Sequence, residues 1–554
     1  MKRLCIALSF LLAAFWALPA PAAQRDQITI GLTQYPSTFH PNIDSMLAKS
    51  YILGFARRPI TVHDQSWSLV CMLCTKLPTI ENGLAVPETA PNGRKGIAVT
   101  YTLHPQAVWG DGTPITTKDV LFTWEVGRHG KTGVTPTELY RSAWKVEAKD
   151  DKTFTMHFDK LAFDYNAINA FDIVPAHIDR KNFEADPVNY KNKTAYDTDT
   201  TNPGLYFGPY LITEAVRGSH VVLDRNPRWW GKTAPVKRIV IKIIPDTAAL
   251  EANLLSGSID MISGELGLTV DQALRFEQRQ GKKFRVLYKP GLIYEHIDLN
   301  MGNPILKNRD IRQALIYAID REAVSKQLFG GRQPVAHTNV NPLDWVFDDK
   351  VPTYAYNPKK ALELLVRNGF TKLDKGVRVH EKTGEALRFD FMTTAGNKSR
   401  ELVQQVLQSQ WKAVGIDARI RNEPARVFFG ETVTKRKYAA MAMYAWLSAP
   451  EAVPRTTLHS AHVPTADNGW SGQNYTGYSN PEMDALIESI ETELDKPARE
   501  KLWHRLQELY ATDLPVIPLY FRAEPYVLPP WLDGVKPTGH QYTTGLWVED
   551  WVVK

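Results

Sequence analysis

The sequence predicts a mixed α/β fold, and three observations carry that reading. Short runs that alternate apolar and polar residues, the period of half-buried strands, fill the first half of the chain. Amphipathic stretches bracketed by helix caps dominate the second half. Between Phe389 and Ile420 the two patterns interleave as strand, helix, strand, which is the βαβ signature. With 554 residues, 44% of them hydrophobic, the chain has material for about three or four structural units around large cores.

In order along the chain, Lys2 and Arg3, the apolar stretch Ile6 to Leu18 and the small residues Ala20-Pro21-Ala22 read as a cleavable export signal over residues 1–22. The stretch falls short of the about twenty apolar residues that cross a bilayer, and the longest later apolar run, Ala439 to Leu447, reads as a buried strand. No cysteine follows a small-residue cleavage site, so lipid anchoring is not expected. The expected location is the periplasm.

Ile28 to Leu32, Val99 to Leu103, Phe154 to Phe158, Val221 to Leu223 and Ile239 to Ile243 alternate as strands. Thr116 with Asp119 three residues on forms a capping-box start for a helix carrying Val120, Phe122 and Trp124. Lys191 to Pro203 reads as a polar loop or boundary. Asp310 to Ile319 places apolar side chains on one helical face, and Gly330-Gly331 supplies the stop. Asn357-Pro358 and Asn480-Pro481 pair an N-cap with a proline at the first helical position, and Gly369 closes the first of these two helices.

Sixty-six Lys+Arg against sixty Asp+Glu leaves only +6, without the basic stripe that nucleic-acid binding requires. Enzyme chemistry finds no GxSxG, HExxH or Gly-rich phosphate loop, so no catalytic residue and no cofactor is expected. Once Cys5 leaves with the signal, Cys71 and Cys74 remain, and Pro78 so soon after them argues for a local disulfide or two packed thiols over a reactive redox pair. His459 and His462 lack a second pair of ligands, and no metal site is expected.

Several strings recur in a serial order. Tyr101-Thr-Leu103, Trp109-Gly-Asp111-Gly112-Thr113-Pro114 and Asp119-Val120-Leu121-Phe122 come first. Gly208-Pro209-Tyr210 with Arg225-Asn226-Pro227 and Trp230-Gly231, Ser256-Gly257-Ser258-Ile259-Asp260, Asn300 with Arg312-Gln313-Ala314, and Ala318-Ile319-Asp320-Arg321 follow. Together with Asn357 to Gly369 and Trp411 to Ile416, this series resembles the periplasmic solute-binding proteins of the peptide/nickel ABC-transporter family over nearly the whole mature chain.

The resemblance implies a two-lobed clamp of the class II type with an extra inserted small domain. Its implied division is lobe I from 23–60, 206–288 and 515–554, the inserted domain from 61–205, and lobe II from 289–514. Hinge crossings are expected at Tyr288-Lys-Pro290-Gly291 and Thr512-Asp513-Leu514-Pro515. It also implies a monomer that captures a small solute, an oligopeptide on this reading, and delivers it to an ABC-transporter permease in the inner membrane. A sugar, an opine-like compound or a metal complex is the alternative ligand, and a periplasmic enzyme the third choice.

The carboxylate that grips a peptide's amino terminus in relatives has no Asp counterpart here, since the strand runs into Ser448-Ala449-Pro450-Glu451. The arginine of dipeptide binders is missing from Thr393-Thr394-Ala395-Gly396-Asn397, with Arg400 lying beyond it. Ligands sit outside the carboxyl ends of strands in such lobes, which makes Tyr35, Asn397, Tyr444 and Trp446 candidate contacts, joined by Asn474 and Tyr475.

Overall fold

A computed structural model describes residues 25–43, 46–134, 138–424, 427–467 and 472–554. The export signal expected at 1–22 lies outside the described residues.

One ten-stranded sheet runs through the molecule, and two long antiparallel strands, Arg285–Leu299 and Val516–Leu528, form its middle. On one side, Met441–Leu447 pairs antiparallel with Arg285–Leu299, followed by Arg388–Met392 and Asp417–Ile420 in parallel. The helix Lys398–Ala413 connects the last two, so the βαβ unit forms where the sequence pattern places it. On the other side, Met261–Ile262 and Gln27–Leu32 lead to the parallel strand Arg238–Ile243 and the hairpin of His220–Arg225 with Tyr210–Val216.

The two halves of this sheet have separate cores. Ile28, Ile30 and Leu32 are fully buried in the first core, at about 1.5–3 kcal/mol per side chain. Ile297, Phe391, Leu407 and Trp411 are fully buried in the second. A four-stranded antiparallel sheet, ordered Ala85–Thr89, Lys95–Thr102, Thr153–Phe158 and Ala143–Ala148, shares the first core. The helix Thr117–Arg128 on it starts with the expected capping box, Thr116 and Asp119 each bonding the other's backbone N–H.

Three readings shift. The amphipathic run from Asp310 is two helices, Arg309–Tyr317 and Arg321–Phe329, because the Asp320 side chain accepts from Ala323 N–H and starts a new one. The stretch Lys191 to Pro203 contains short helical turns at Tyr190–Asn192 and Ala195–Thr198. Thr512 to Pro515 ends the helix Lys496–Asp513, with Leu514 at φ 48°, and the strand that follows first pairs with Asp298 and Ile297. That strand passes to the other half only further along, opposite the register shift between Pro290 and Tyr294. Continuous strand pairing on both sides of the shift concentrates bending where the ladder is interrupted.

Candidate interlobe binding site

A cleft of about 880 Å³ separates the inserted region from the second half of the main sheet. Trp67, Phe163, Tyr165 and Tyr542 line one wall, and Trp345, Glu451, Glu491 and Arg499 the other. Contacts cross it. Lys160 Nζ lies 2.7 Å from Glu491 Oε2, the Phe163 N–H donates to the Glu491 carbonyl at 3.1 Å, and the Arg499 guanidinium lies 4.6 Å from the centre of the Phe163 ring. Burial pushes the Glu491 carboxyl up, but Arg455 and Lys160 outweigh it and hold the group below its ordinary value.

The loop after Met441–Leu447 is held rigidly. Glu451 adopts φ 54°, a conformation that costs a non-glycine residue roughly 1–3 kcal/mol and clusters at binding sites. Its N–H donates to Asp344 Oδ2 at 2.7 Å, and its carboxylate accepts from Trp345 Nε1 at 2.9 Å and Arg499 Nε at 2.5 Å. A solvated surface glutamate is the ordinary expectation at such a position, yet only 14% of this side chain is exposed. Burial raises its carboxyl despite Arg499.

Arg400, by contrast, does not line the cleft. Its Nε lies 2.5 Å from Glu295 Oε1, and Glu295, fully buried, also pairs with Arg522. Burial opposes the charge of Glu295, but the two arginines hold its carboxyl below the ordinary value. The anchors missing from the sequence are therefore not supplied by these neighbours.

A second cavity, of about 190 Å³, lies behind the Ser448 to Pro454 loop and shares Ala452 and Val453 with the cleft. Trp446 and Tyr475 line it, stacked with ring centres 5.8 Å apart. Tyr444 lies beneath them, 1% exposed, its hydroxyl 2.5 Å from Asp298 Oδ2. Asn474 is fully buried and donates to the carbonyls of His459 and Tyr478, so it shapes the loop and is closed to a ligand. Asn397 caps the helix Lys398–Ala413 through Arg400 N–H, and Tyr35 packs edge-on against Phe39; neither lines either cavity.

Sequence reasoning missed His296 and Asp298, which also line the second cavity. The signal was the alternation Tyr294-Glu295-His296-Ile297-Asp298, which puts polar groups at successive same-face positions of a buried strand. Cys71 and Cys74 are joined by a disulfide across 5.1 Å between Cα atoms, in the small hairpin of Thr61–His63 with Leu69–Cys71. The rings of His459 and His462 lie 5.9 Å apart, and among the described residues no group of three His, Cys, Asp or Glu side chains is placed to hold a metal ion.

Two α/β halves sharing one sheet, an extra small domain and a deep interlobe cleft define a class II binding fold with an inserted domain. The chain belongs to the bacterial extracellular solute-binding proteins, family 5, whose middle-region model matches residues 80–464. It is similar to the oligopeptide-binding protein AppA of Bacillus subtilis, 25% identical over 548 residues covering 96% of this chain and 92% of the relative.

Among solved structures it is similar to an oligopeptide-binding protein of Thermus thermophilus complexed with a pentapeptide, at 29% identity and TM-score 0.72, with 96% of each chain covered. NikZ of Campylobacter jejuni, solved with Ni(L-His), shares the fold at 22% identity and TM-score 0.73, covering 95% of this chain and 99% of that one. The protein is thus the substrate-binding component of an ABC importer, a non-enzymatic class that works with a membrane permease. The family is extracellular or periplasmic, and no described helix is long and apolar enough to cross a membrane.

Proposed function

We propose that this protein captures an oligopeptide in the 880 Å³ cleft and hands it to an inner-membrane ABC permease, working as a periplasmic monomer after loss of residues 1–22. The observation that carries the reading is a cleft near the top of the about 300–1,000 Å³ range of small-molecule sites whose Glu451, Glu491 and Arg499 are already paired within the protein. Such a site favours a long ligand held through its backbone over a short one held by both charged termini. The pentapeptide in the similar Thermus thermophilus protein supports this. The domain division at 60/61, 205/206 and 288/289, with closure between lobes I and II, belongs to the same proposal; the last crossing, expected at 514/515, falls further along the strand Val516–Leu528.

A metal complex is the second reading, favoured by the His296 imidazole in the side cavity. Mass spectrometry of ligand released from purified protein, followed by calorimetry with alanine peptides of two and five residues, tests both. Pentapeptide binding well above dipeptide binding is expected. A copurified metal chelate or sugar, with no peptide binding, overturns the proposal.

A further inference from the structure

The strand Arg285–Leu299 turns Tyr294, His296 and Asp298 toward the side cavity, and the last two are 1% and 3% exposed. His296 Nδ1 lies 3.3 Å from the Tyr294 carbonyl oxygen, which accepts only, so in the neutral ring the proton sits on Nδ1 and Nε2 is an acceptor. That Nε2 is buried without a hydrogen-bond partner, 3.2 Å from Asp298 Oδ1. Asp298 Oδ2 takes the Tyr444 hydroxyl at 2.5 Å. Asn339 Oδ1, on the same cavity, is likewise buried without a partner. Two buried acceptors, His296 Nε2 and Asn339 Oδ1, therefore line one cavity with no donor supplied to them, and beside them the Asp298 carboxylate has one donor, the Tyr444 hydroxyl.

The charge balance agrees. Asp298 is the only carboxylate among the described lining residues, and no lysine or arginine lines the cavity. Arg321, whose charge reaches Tyr294, directs its guanidinium to the carbonyls of Ala336, Pro518 and Tyr354. Burial, and after it the charge of Asp298, raises the hydroxyls of Tyr444 and Tyr438, with Arg436 opposing it in part at Tyr438. A buried carboxylate without a cation is costly, and a donor-rich cation relieves it. The stacked rings of Trp446 and Tyr475 offer such a cation aromatic faces.

We propose that this cavity receives one basic side chain of the captured ligand, a lysine ammonium or arginine guanidinium, with Asp298 as its counter-ion and His296 and Asn339 as acceptors. The inference rests on the oligopeptide reading, because the cavity meets the cleft at Ala452 and Val453. At about 190 Å³ it is smaller than the about 300 Å³ at which whole-ligand sites begin, which suits a single side chain. His296 and Asp298 are two metal-type ligands, fewer than the three protein ligands of an open zinc site.

Calorimetry on the full mature chain tests the assignment with alanine pentapeptides carrying one lysine at each position in turn, each against its norleucine twin. At one position lysine should bind about tenfold or more tightly than norleucine, a difference of about 1.4 kcal/mol. Asp298→Asn should erase that preference, bringing the lysine peptide to the affinity of its norleucine twin. The twin comparison on the unaltered protein decides the point if Asp298→Asn folds poorly, and Trp446→Ala, expected to shrink the preference several-fold, is the second variant. Peptides that bind with no lysine preference overturn the cavity's role and leave oligopeptide capture standing. If no peptide binds, n-butylammonium should still raise the melting temperature of the unaltered protein but not of Asp298→Asn. That result keeps the cation site while removing the oligopeptide reading, and its absence overturns both.

Discussion

Glu295 and Asp298 stand three residues apart on one strand, both buried, and face opposite sides of the sheet. Glu295 is gripped by Arg400 and Arg522, whereas Asp298 has only a tyrosine hydroxyl and a histidine beside it among the described residues. Neutralised within the protein, the first carboxylate fastens the helix Lys398–Ala413 and the strand Val516–Leu528 to the sheet. Without an arginine or lysine partner among the described residues and open to a cavity, the second is available to a ligand. Burial alone does not separate a structural charge from a binding one; the presence of an internal counter-ion does.

The largest effect should come from Glu295→Gln, which strands the buried Arg400 guanidinium and the half-buried Arg522 guanidinium. Denaturant unfolding should show a loss of roughly 3–5 kcal/mol, toward the lower end because Arg522 keeps a third of its side chain exposed. Asp298→Asn keeps the shape and leaves no charge stranded, so its cost should fall near 1–3 kcal/mol. Equal losses would erase the contrast between the two faces.

The same contrast has a pH form. The Glu295 carboxyl is held below its ordinary value of 4.5, so its stabilisation is fully present above that value and fades as the pH falls through the depressed value. Unfolding measured from about pH 6 downward should therefore be flatter in Glu295→Gln than in the unaltered protein.

Next in size, Trp446→Ala should weaken binding of the preferred lysine pentapeptide by about 1–3 kcal/mol with little change in melting temperature. Tyr444→Phe should do the reverse, lowering stability by about 1 kcal/mol through the lost bond to Asp298. A large melting drop in Trp446→Ala at unchanged affinity would return that ring to the core.

A separate pH effect should appear at Glu524, whose carboxyl is pushed up to about 8 by burial and then by the charge of Glu265. A raised carboxyl binds its proton more tightly in the folded state, so stability should decline as the pH rises from about 4.5 through about 8. Glu524→Gln should remove that slope, and an unchanged slope would assign it to another group. Smallest of all, replacing Cys71 and Cys74 by serine should leave peptide affinity unchanged in calorimetry. The disulfide closes only a short loop, and its loss should cost no more than about 2 kcal/mol.

The strands from Ile28, Val99, Phe154, Val221 and Ile239 were legible because a half-buried strand writes its period into the sequence. The caps at Thr116, Asn357 and Asn480 were legible because a cap is a local bond. Asp320 was locally legible as well, but the continuing apolar face hid the break it makes. Of the proposed contacts, the alternation rule placed Tyr444 and Trp446 on one face, and they do share it; what it could not supply was depth. Tyr444 is sealed beneath its neighbour, Asn474 is enclosed by its own loop, and Trp446 and Tyr475 reach a cavity.

The sequence by itself determined the class of fold, the order of its elements and the family, because those follow from periodicity, capping and serial motifs that act over a few residues each. Only the tertiary structure decided that Arg400 is claimed by Glu295, that Glu451 is claimed by Arg499, and that Asp298 has a histidine but no arginine or lysine beside it among the described residues. Each of those outcomes depends on partners dozens to hundreds of residues apart in the chain. A charge's partner is set by distance in space, and no local pattern records it.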